Sequence, residues 1–412
     1  MTNLYIECGS TLKSPYNTGI QRVVRSIIEQ KTIVEDKFQG LNVVYVDYHH
    51  NNFHIILPHK KFNIKHYNYF FNFFKSIKKY CPLKIRNFLI GFIESAFNKS
   101  IEKNPSILLT QKNFPSEQHI LLLLDATWSN DMWGEVSRFR ACGGSVCAVL
   151  YDLIPFMHPE TVEANTRELH TNWWRHAIES IDSVMCISKT VRDQFYEWQD
   201  KNIKNPIPVE RVDYFYLGAD FSCNDPLIKV ISSNSPFFLM VGSIEPRKNH
   251  SLVLKAFDCL WASKHDVSLV LCANNDWNSE DLISRIKSHK EFNKRLFLFE
   301  GVSDRDLMYL NKCCCAAIMA SFAEGFGLPI IEALSQGAKV ICNDIPIFRE
   351  VGLDNVEYFS FNNQESLEDI IINHVNEWGK LGAAKKQSNS WITWGESATM
   401  LVDKVLEISN KS

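Results

Sequence analysis

The chain has 412 residues, more than one hydrophobic core usually serves, so two domains of roughly 150 to 250 residues with a cleft between them are expected. Apolar residues make up 45% and charged residues 22%, which argues against a disordered chain. A formal net charge of −3 lacks the basic balance of a nucleic-acid binder, so no nucleic-acid partner is expected. The twelve cysteines are scattered, with no Cys-x-x-Cys pair and with Cys313, Cys314 and Cys315 together in an apolar run. They read as buried, reduced thiols rather than as a zinc site or a disulfide framework. Met1–Tyr5 offers no secretory signal, and no apolar run approaches the roughly 20 residues of a membrane helix, so a cytoplasmic protein is expected.

Taken in chain order, short apolar runs predict strands at Leu4–Glu7, Val43–Asp47, His119–Leu124, Ser145–Tyr151, Val184–Ile187 and Val212–Tyr216, with helical segments between most of them. Phe237–Val241, Val267–Cys272, Leu296–Phe299, Ala316–Ala320 and Val340–Cys342 repeat the pattern, each followed by a helix. This alternation predicts an α/β protein of two Rossmann-like domains, each a parallel sheet covered on both faces. Turn-forming residues concentrate in Asp220–Pro236, which places the division there: an N-terminal domain over 1–222 and a C-terminal domain over 223–395. The segment 396–412 reads as an amphipathic helix that packs back on the N-terminal domain.

The stretch Lys60–Lys103 carries ten Lys and Arg against two Glu, interleaved with Tyr67, Phe70, Phe74 and Phe92. Two readings stand for it: a peripheral contact with an anionic membrane surface, or a helical hairpin packed on its own domain.

The chemistry concentrates in two passages. In Ser321–Leu334, SFAEGFGLPIIEAL, a buried strand runs through a glycine-containing turn into a helix. Gly325 and Gly327 let the backbone approach a ligand closely, and the free N–H groups at the helix start favour an anion such as phosphate. Glu324 precedes the helix, and Glu332 lies about two turns further on. In Val241–His250, VGSIEPRKNH, Arg247 and Lys248 follow the first strand of the C-terminal half. Ligands of open parallel sheets bind at that end of the strands. A guanidinium fork and an ammonium would offset the charge of a departing diphosphate.

Together these passages resemble family 4 of the glycosyltransferases, a retaining family of GT-B fold, most strongly over residues 237–352. The E-x7-E pattern stands as Glu324 and Glu332, and EPRKN at Glu245–Asn249 is similar to the family's diphosphate loop. The resemblance implies a metal-independent hexosyltransferase without a cofactor. In that reading Ser243, Arg247 and Lys248, with the amides of Phe326, Gly327 and Leu328, hold a nucleoside diphosphate sugar. Glu332 binds its ribose, and Glu324 faces its sugar. NTGIQRVVRSI at Asn17–Ile27 looks like the loop and helix after the family's first strand, with Gly19 at the donor; Asn17 or Thr18 would cap that helix. YDLIPFMHPE at Tyr151–Glu160 resembles a segment that commonly begins His-Asp, so only Asp152 is carried over as catalytic, with His158 as an acceptor neighbour. Ala273–Trp277 departs from the family, having Asn274, Asn275 and Asp276 where glycine is usual. Ser188 in ISKTVRD reads as a structural helix cap.

The activity implied is transfer of a hexose, mannose first, to a growing glycan, lipid-linked and of the kind found in bacterial surface polysaccharides. Two other readings use the same residues: a sugar-nucleotide epimerase of this fold, and a catalytically silent glycosyltransferase-like subunit.

Overall fold

The residues described in the computed structural model are 2–14, 19–49, 51–56, 119–220, 236–273, 279–360, 364–378 and 391–410. The basic aromatic stretch 60–103, the division at 222/223, Asn17, Thr18 and the segment 274–277 lie outside the described residues.

The N-terminal sheet consists of β1 (Thr2–Glu7), β2 (Leu41–His49), β3 (Asn52–Ile55), β4 (His119–Leu123), β5 (Ser145–Leu150), β6 (Ser183–Cys186) and β7 (Val212–Tyr214). Their order is β3-β2-β1-β4-β5-β6-β7. Helices α1 (Gly9–Lys13), α2 (Gly19–Ile28), α3 (Lys31–Lys37), α4 (Trp133–Ala141), α5 (Ile154–Met157), α6 (Ala164–Ser180) and α7 (Lys189–Asn202) connect them. The strands pair in parallel except for β3, which runs antiparallel to β2. That hairpin was not legible as a strand pair, because Asn52–Ile55 is a four-residue edge strand with little apolar run of its own.

The C-terminal sheet has β8 (Phe237–Val241), β9 (Ser268–Cys272), β10 (Leu296–Phe299), β11 (Ala316–Met319), β12 (Lys339–Asn343) and β13 (Glu357–Phe359) in the order β10-β9-β8-β11-β12-β13, all parallel. Its helices are α8 (His250–Ala262), α9 (Glu280–Lys287), α10 (Asp304–Cys313), α11 (Leu328–Ser335), α12 (Pro346–Gly352) and α13 (Gln364–Trp378). Central strands β4, β9 and β11 are buried along their whole length, as strands covered on both faces must be.

The last helix, α14 (Trp394–Ser409), follows the C-terminal domain in sequence but packs against α2 and α3 of the N-terminal one. A capping box of Thr393 and Glu396 starts it. The Ser397 hydroxyl donates to the Tyr216 carbonyl at 2.6 Å, and Lys404 Nζ lies 2.9 Å from Asp213.

In each sheet the strand order reverses once, between β1 and β4 and between β8 and β11. A crevice opens at the carboxyl ends of strands at such a point. Among the strands of the C-terminal sheet, β8 and β11 are the pair whose following loops hold the two motifs singled out from the sequence.

Candidate active site

The loops after β8 and β11 are joined by backbone: the Phe322 amide donates to the Arg247 carbonyl at 3.0 Å. Pro246–Lys248 forms a single 3-10 turn, and Asn249, at φ 57°, reverses the chain into α8. Arg247 is thereby aimed across the switch point. Its Nη1 donates to the Ala323 carbonyl at 3.0 Å and stands 2.8 Å from Glu324 Oε2, while its Nε lies 2.8 Å from Glu245 Oε2. Lys248 Nζ is 3.2 Å from Glu324 Oε1, the oxygen that also accepts from the Ser321 hydroxyl at 2.9 Å.

Burial alone would push the Glu324 carboxyl up; the Arg247 guanidinium and the Lys248 ammonium reverse this and hold it down at about 2. Burial acts against the Arg247 charge too, but Glu324, Glu245 and Asp152 outweigh it and raise its pKa. The site is therefore a compact network in which an ionised Glu324 is shared by the two cations. Glu245 and Ser321 belong to it although sequence reasoning gave neither a role; both lay inside the motifs.

Gly327 adopts φ 97° at the N-cap of α11, a conformation that L side chains rarely adopt. The helix has no side-chain cap, and Pro329 in its first turn has no N–H, so the backbone about Gly327 and Leu328 is its positive end. Phe326 is 3% exposed, its ring 6.3 Å from Tyr216 and 6.2 Å from Trp391, so the side chain serves the core. Ser243 lies half-buried after β8, its carbonyl accepting from the Glu245 amide at 3.0 Å.

Gly325 requires a correction. The close approach it permits is to protein: a Cβ there would stand 2.1 Å from the Tyr151 carbonyl oxygen of the N-terminal domain. The Ser188 hydroxyl donates to the Gly325 carbonyl at 3.0 Å while accepting from the Val191 amide. Ser188 thus caps α7, as read from the sequence, and also joins the domains.

Other N-terminal residues meet the site from across the cleft. Asp152 is half-buried, accepts from the Ile154 amide at 2.9 Å and feels the Arg247 charge; burial outweighs that attraction and raises its pKa. Tyr151 is buried and donates its hydroxyl to the Leu124 carbonyl at 2.7 Å. The His158 ring meets Phe322 edge-on at 5.6 Å. Gly19 begins α2, where a Cβ would meet nothing within 4 Å among the described residues, so their packing does not demand glycine there.

Glu332 sits in the middle of α11, 4% exposed. Its Oε1 lies 2.8 Å from Nη1 of Arg22, which reaches over from α2. Asp304 stands 3.6 Å from the same guanidinium. Sequence reasoning missed Arg22: it lay inside the NTGIQRVVRSI motif, but its partner is 310 residues away in the chain. Asp304 and Asp306 have the spacing of an Asp-x-Asp pair. Here they occupy the first turn of α10, where Ser303 caps the helix through the Asp306 amide and donates its hydroxyl to the Asp306 carboxylate at 2.6 Å.

Residues 225–391 match the family model for Glycosyl transferases group 1. The serotype-specific mannosyltransferase WbdA of Escherichia coli is 32% identical over 305 residues, which cover 70% of this chain and 37% of that protein. The O-antigen chain mannosyltransferase RfbU of Salmonella typhimurium is 26% identical over 226 residues, 54% of this chain and 59% of that one. The chain therefore spans well under half the length of WbdA. In structure it resembles Anabaena HepE, solved in complex with UDP, at a TM-score of 0.52 and 14% identity, over 100% of this chain and 98% of that one. Sucrose-phosphate synthase from Thermosynechococcus elongatus gives a TM-score of 0.54 at 14% identity, over 100% and 94%. These likenesses establish the GT-B fold.

Proposed function

We propose that this chain, a GT-B protein whose residues 225–391 match the group 1 glycosyl transferase model, transfers a hexose from a nucleoside diphosphate sugar to a hydroxyl of a growing surface glycan. The observation that carries the reading is the Arg247–Lys248–Glu324 network beside the uncapped start of α11, at the switch point of the C-terminal sheet. Mannose is favoured as the sugar because WbdA, matched over 305 residues, and RfbU are both named mannosyltransferases.

In this reading the diphosphate lies on the backbone at Phe326–Leu328 with Lys248 and Arg247 beside it, Ser243 at its edge and Gly19 facing it from α2. Glu332 takes the ribose hydroxyls. Glu324, ionised and held by both cations, presents its carboxylate to the donor sugar. The bond from the anomeric carbon to the phosphate oxygen breaks as the acceptor oxygen bonds to that carbon on the same face. The acceptor's proton passes to the leaving diphosphate, so configuration is retained and no protein nucleophile is needed. Cations and helix amides favour the transition state because charge grows on the diphosphate there. Asp152 and His158 line the acceptor side. No metal or cofactor enters this scheme.

A thermal-shift panel of UDP, GDP, dTDP and ADP with their common sugars tests the reading, because a ligand that binds the folded state raises its apparent stability. Selective stabilisation by one nucleotide is expected, followed by EDTA-insensitive transfer that gives a product of retained configuration. Stabilisation by none of them, an inverted product, or alteration of the sugar nucleotide without acceptor overturns it.

The acceptor is proposed to be lipid-linked, with residues 60–103 touching the anionic membrane face. Among the described residues no helix is long and apolar enough to cross a membrane. Neutralising Lys75, Lys78 and Lys79 is expected to release the protein from anionic vesicles; undiminished binding ends that proposal.

A further inference from the structure

We infer that Arg22 is a positioning residue of the nucleotide site: it reaches from the N-terminal domain to pair with and orient the Glu332 carboxylate, so ribose recognition is complete when the two domains meet. The inference rests on the reading of Glu332 as the ribose ligand.

Three observations carry it. Glu332 is nearly fully buried on a helix of the C-terminal domain, yet its 2.8 Å ion-pair partner comes from the other domain. Arg22 lies in the first turn of α2, three residues after Gly19, so the element that brings Arg22 to Glu332 is the one whose start faces the proposed donor. The two domains are also held in this apposition by independent contacts. The Glu350 carboxylate of α12 accepts the amides of Lys189 and Thr190 at the start of α7, each at 2.7 Å, and Ser188 bonds Gly325. The Arg22 bridge is therefore not needed to hold the cleft together, and its placement on Glu332 asks for another reason.

Ribose hydroxyls are hydrogen-bond donors, and an ionised carboxylate accepts from two of them where a protonated one loses an acceptor and gains a competing donor. Burial raises the Glu332 pKa, Arg22 lowers it, and Asp304 at the start of α10 raises it again. Arg22 is thus the group that opposes protonation of Glu332. Removing one partner of a buried pair leaves the other charge uncompensated.

The test is calorimetric titration of GDP, with UDP alongside, into wild-type protein, R22Q, R22K and E332Q from pH 8 to pH 5.5. Subtracting wild type from variant at each pH removes the nucleotide's own titration. E332Q is expected to bind the nucleotide about tenfold or more weakly, with little pH dependence of its own. R22Q is expected to match that loss at the acid end and recover part of the affinity toward pH 8. R22K keeps the charge and is expected to follow the wild-type pH profile with a smaller loss. If E332Q binds as well as wild type, the ribose assignment is what fails. If E332Q is weakened but R22Q tracks wild type at every pH, or is weaker by a constant factor, Arg22 is a structural clasp and the inference is overturned. Tighter binding by R22Q also overturns it, because Arg22 would then be competing with the ribose.

Discussion

The C-terminal domain delivers its charges to the cleft in two unbroken stretches, 241–250 and 321–334, each following one of the two strands that flank its switch point. The N-terminal domain delivers its share singly: Arg22 from α2, Asp152 from the loop after β5, and Ser188 from the cap after β6. The difference is one of range. A strand–turn–helix unit places a phosphate cradle by local geometry, so it survives as a motif. A residue that acts across a cleft is placed by the packing of two whole domains, so its partner leaves no spacing to recognise.

The largest effect should come from the local cradle. Lys248→Ala removes an ammonium 3.2 Å from Glu324, and a loss of about 10²- to 10³-fold in turnover is expected if that charge stabilises the leaving group. The melting temperature should change little by comparison, since the side chain is not part of either sheet's core. Steady-state kinetics with unchanged kcat would remove Lys248 from the diphosphate site.

Next in size is a change that leaves the cradle residues in place and disturbs only the apposition of the domains. Gly325→Ala puts a methyl group 2.1 Å from the Tyr151 carbonyl, a backbone atom with no freedom to rotate away. A destabilisation of about 1–3 kcal/mol is expected from overpacking, together with a loss of transfer activity exceeding any loss of nucleotide binding. If transfer and binding fall together, the contact serves the cradle itself and the contrast between the domains is blunted.

Smaller still is Glu350→Ala, which withdraws the acceptor from two amides and the Thr190 hydroxyl at the start of α7. Loss of a cap costs about 1–2 kcal/mol, here at the domain junction. Hydrogen exchange should rise at residues 189–191 while the amides of β8 and β11 stay protected. Unchanged exchange there would show that α7 does not depend on the other domain.

The same contrast accounts for what was legible in the sequence. Buried central strands announced themselves as apolar runs, and Phe237–Val241 forms β8 over those same residues. The edge strand β3 and the three-residue β13 did not, because neither needs an apolar run to pair with one neighbour. Arg247, Lys248 and Glu324 were legible as chemistry but not as partners: nothing in EPRKN says that both cations are already engaged by a carboxylate. Gly325 was read as a ligand contact because a glycine before a phosphate-binding turn is usually that. The tertiary reason, a carbonyl of the other domain, has no local signature. Arg22 and Glu350 were invisible for the same cause, each being an ordinary helix charge until its partner is known.

Acid separates the two carboxylates with the least perturbation. Glu324 is held by neighbours from its own domain at about 2, below its ordinary value of 4.5. Such a group contributes stability that is present above its ordinary value and lost as the pH falls from there toward 2. Glu332 is the reverse case: its pKa is raised, so protonation relieves the buried charge, and its unfavourable contribution grows as the pH rises through its folded value. Melting temperatures of wild type, E324Q and E332Q measured from pH 8 to pH 4 should therefore diverge in opposite senses. The advantage of wild type over E324Q should stay level down to about pH 5 and shrink only below 4.5, whereas wild type should gain on E332Q as the solution is acidified toward 4.5. Parallel curves for both variants would mean that the single cross-domain arginine shields Glu332 as completely as two local cations shield Glu324.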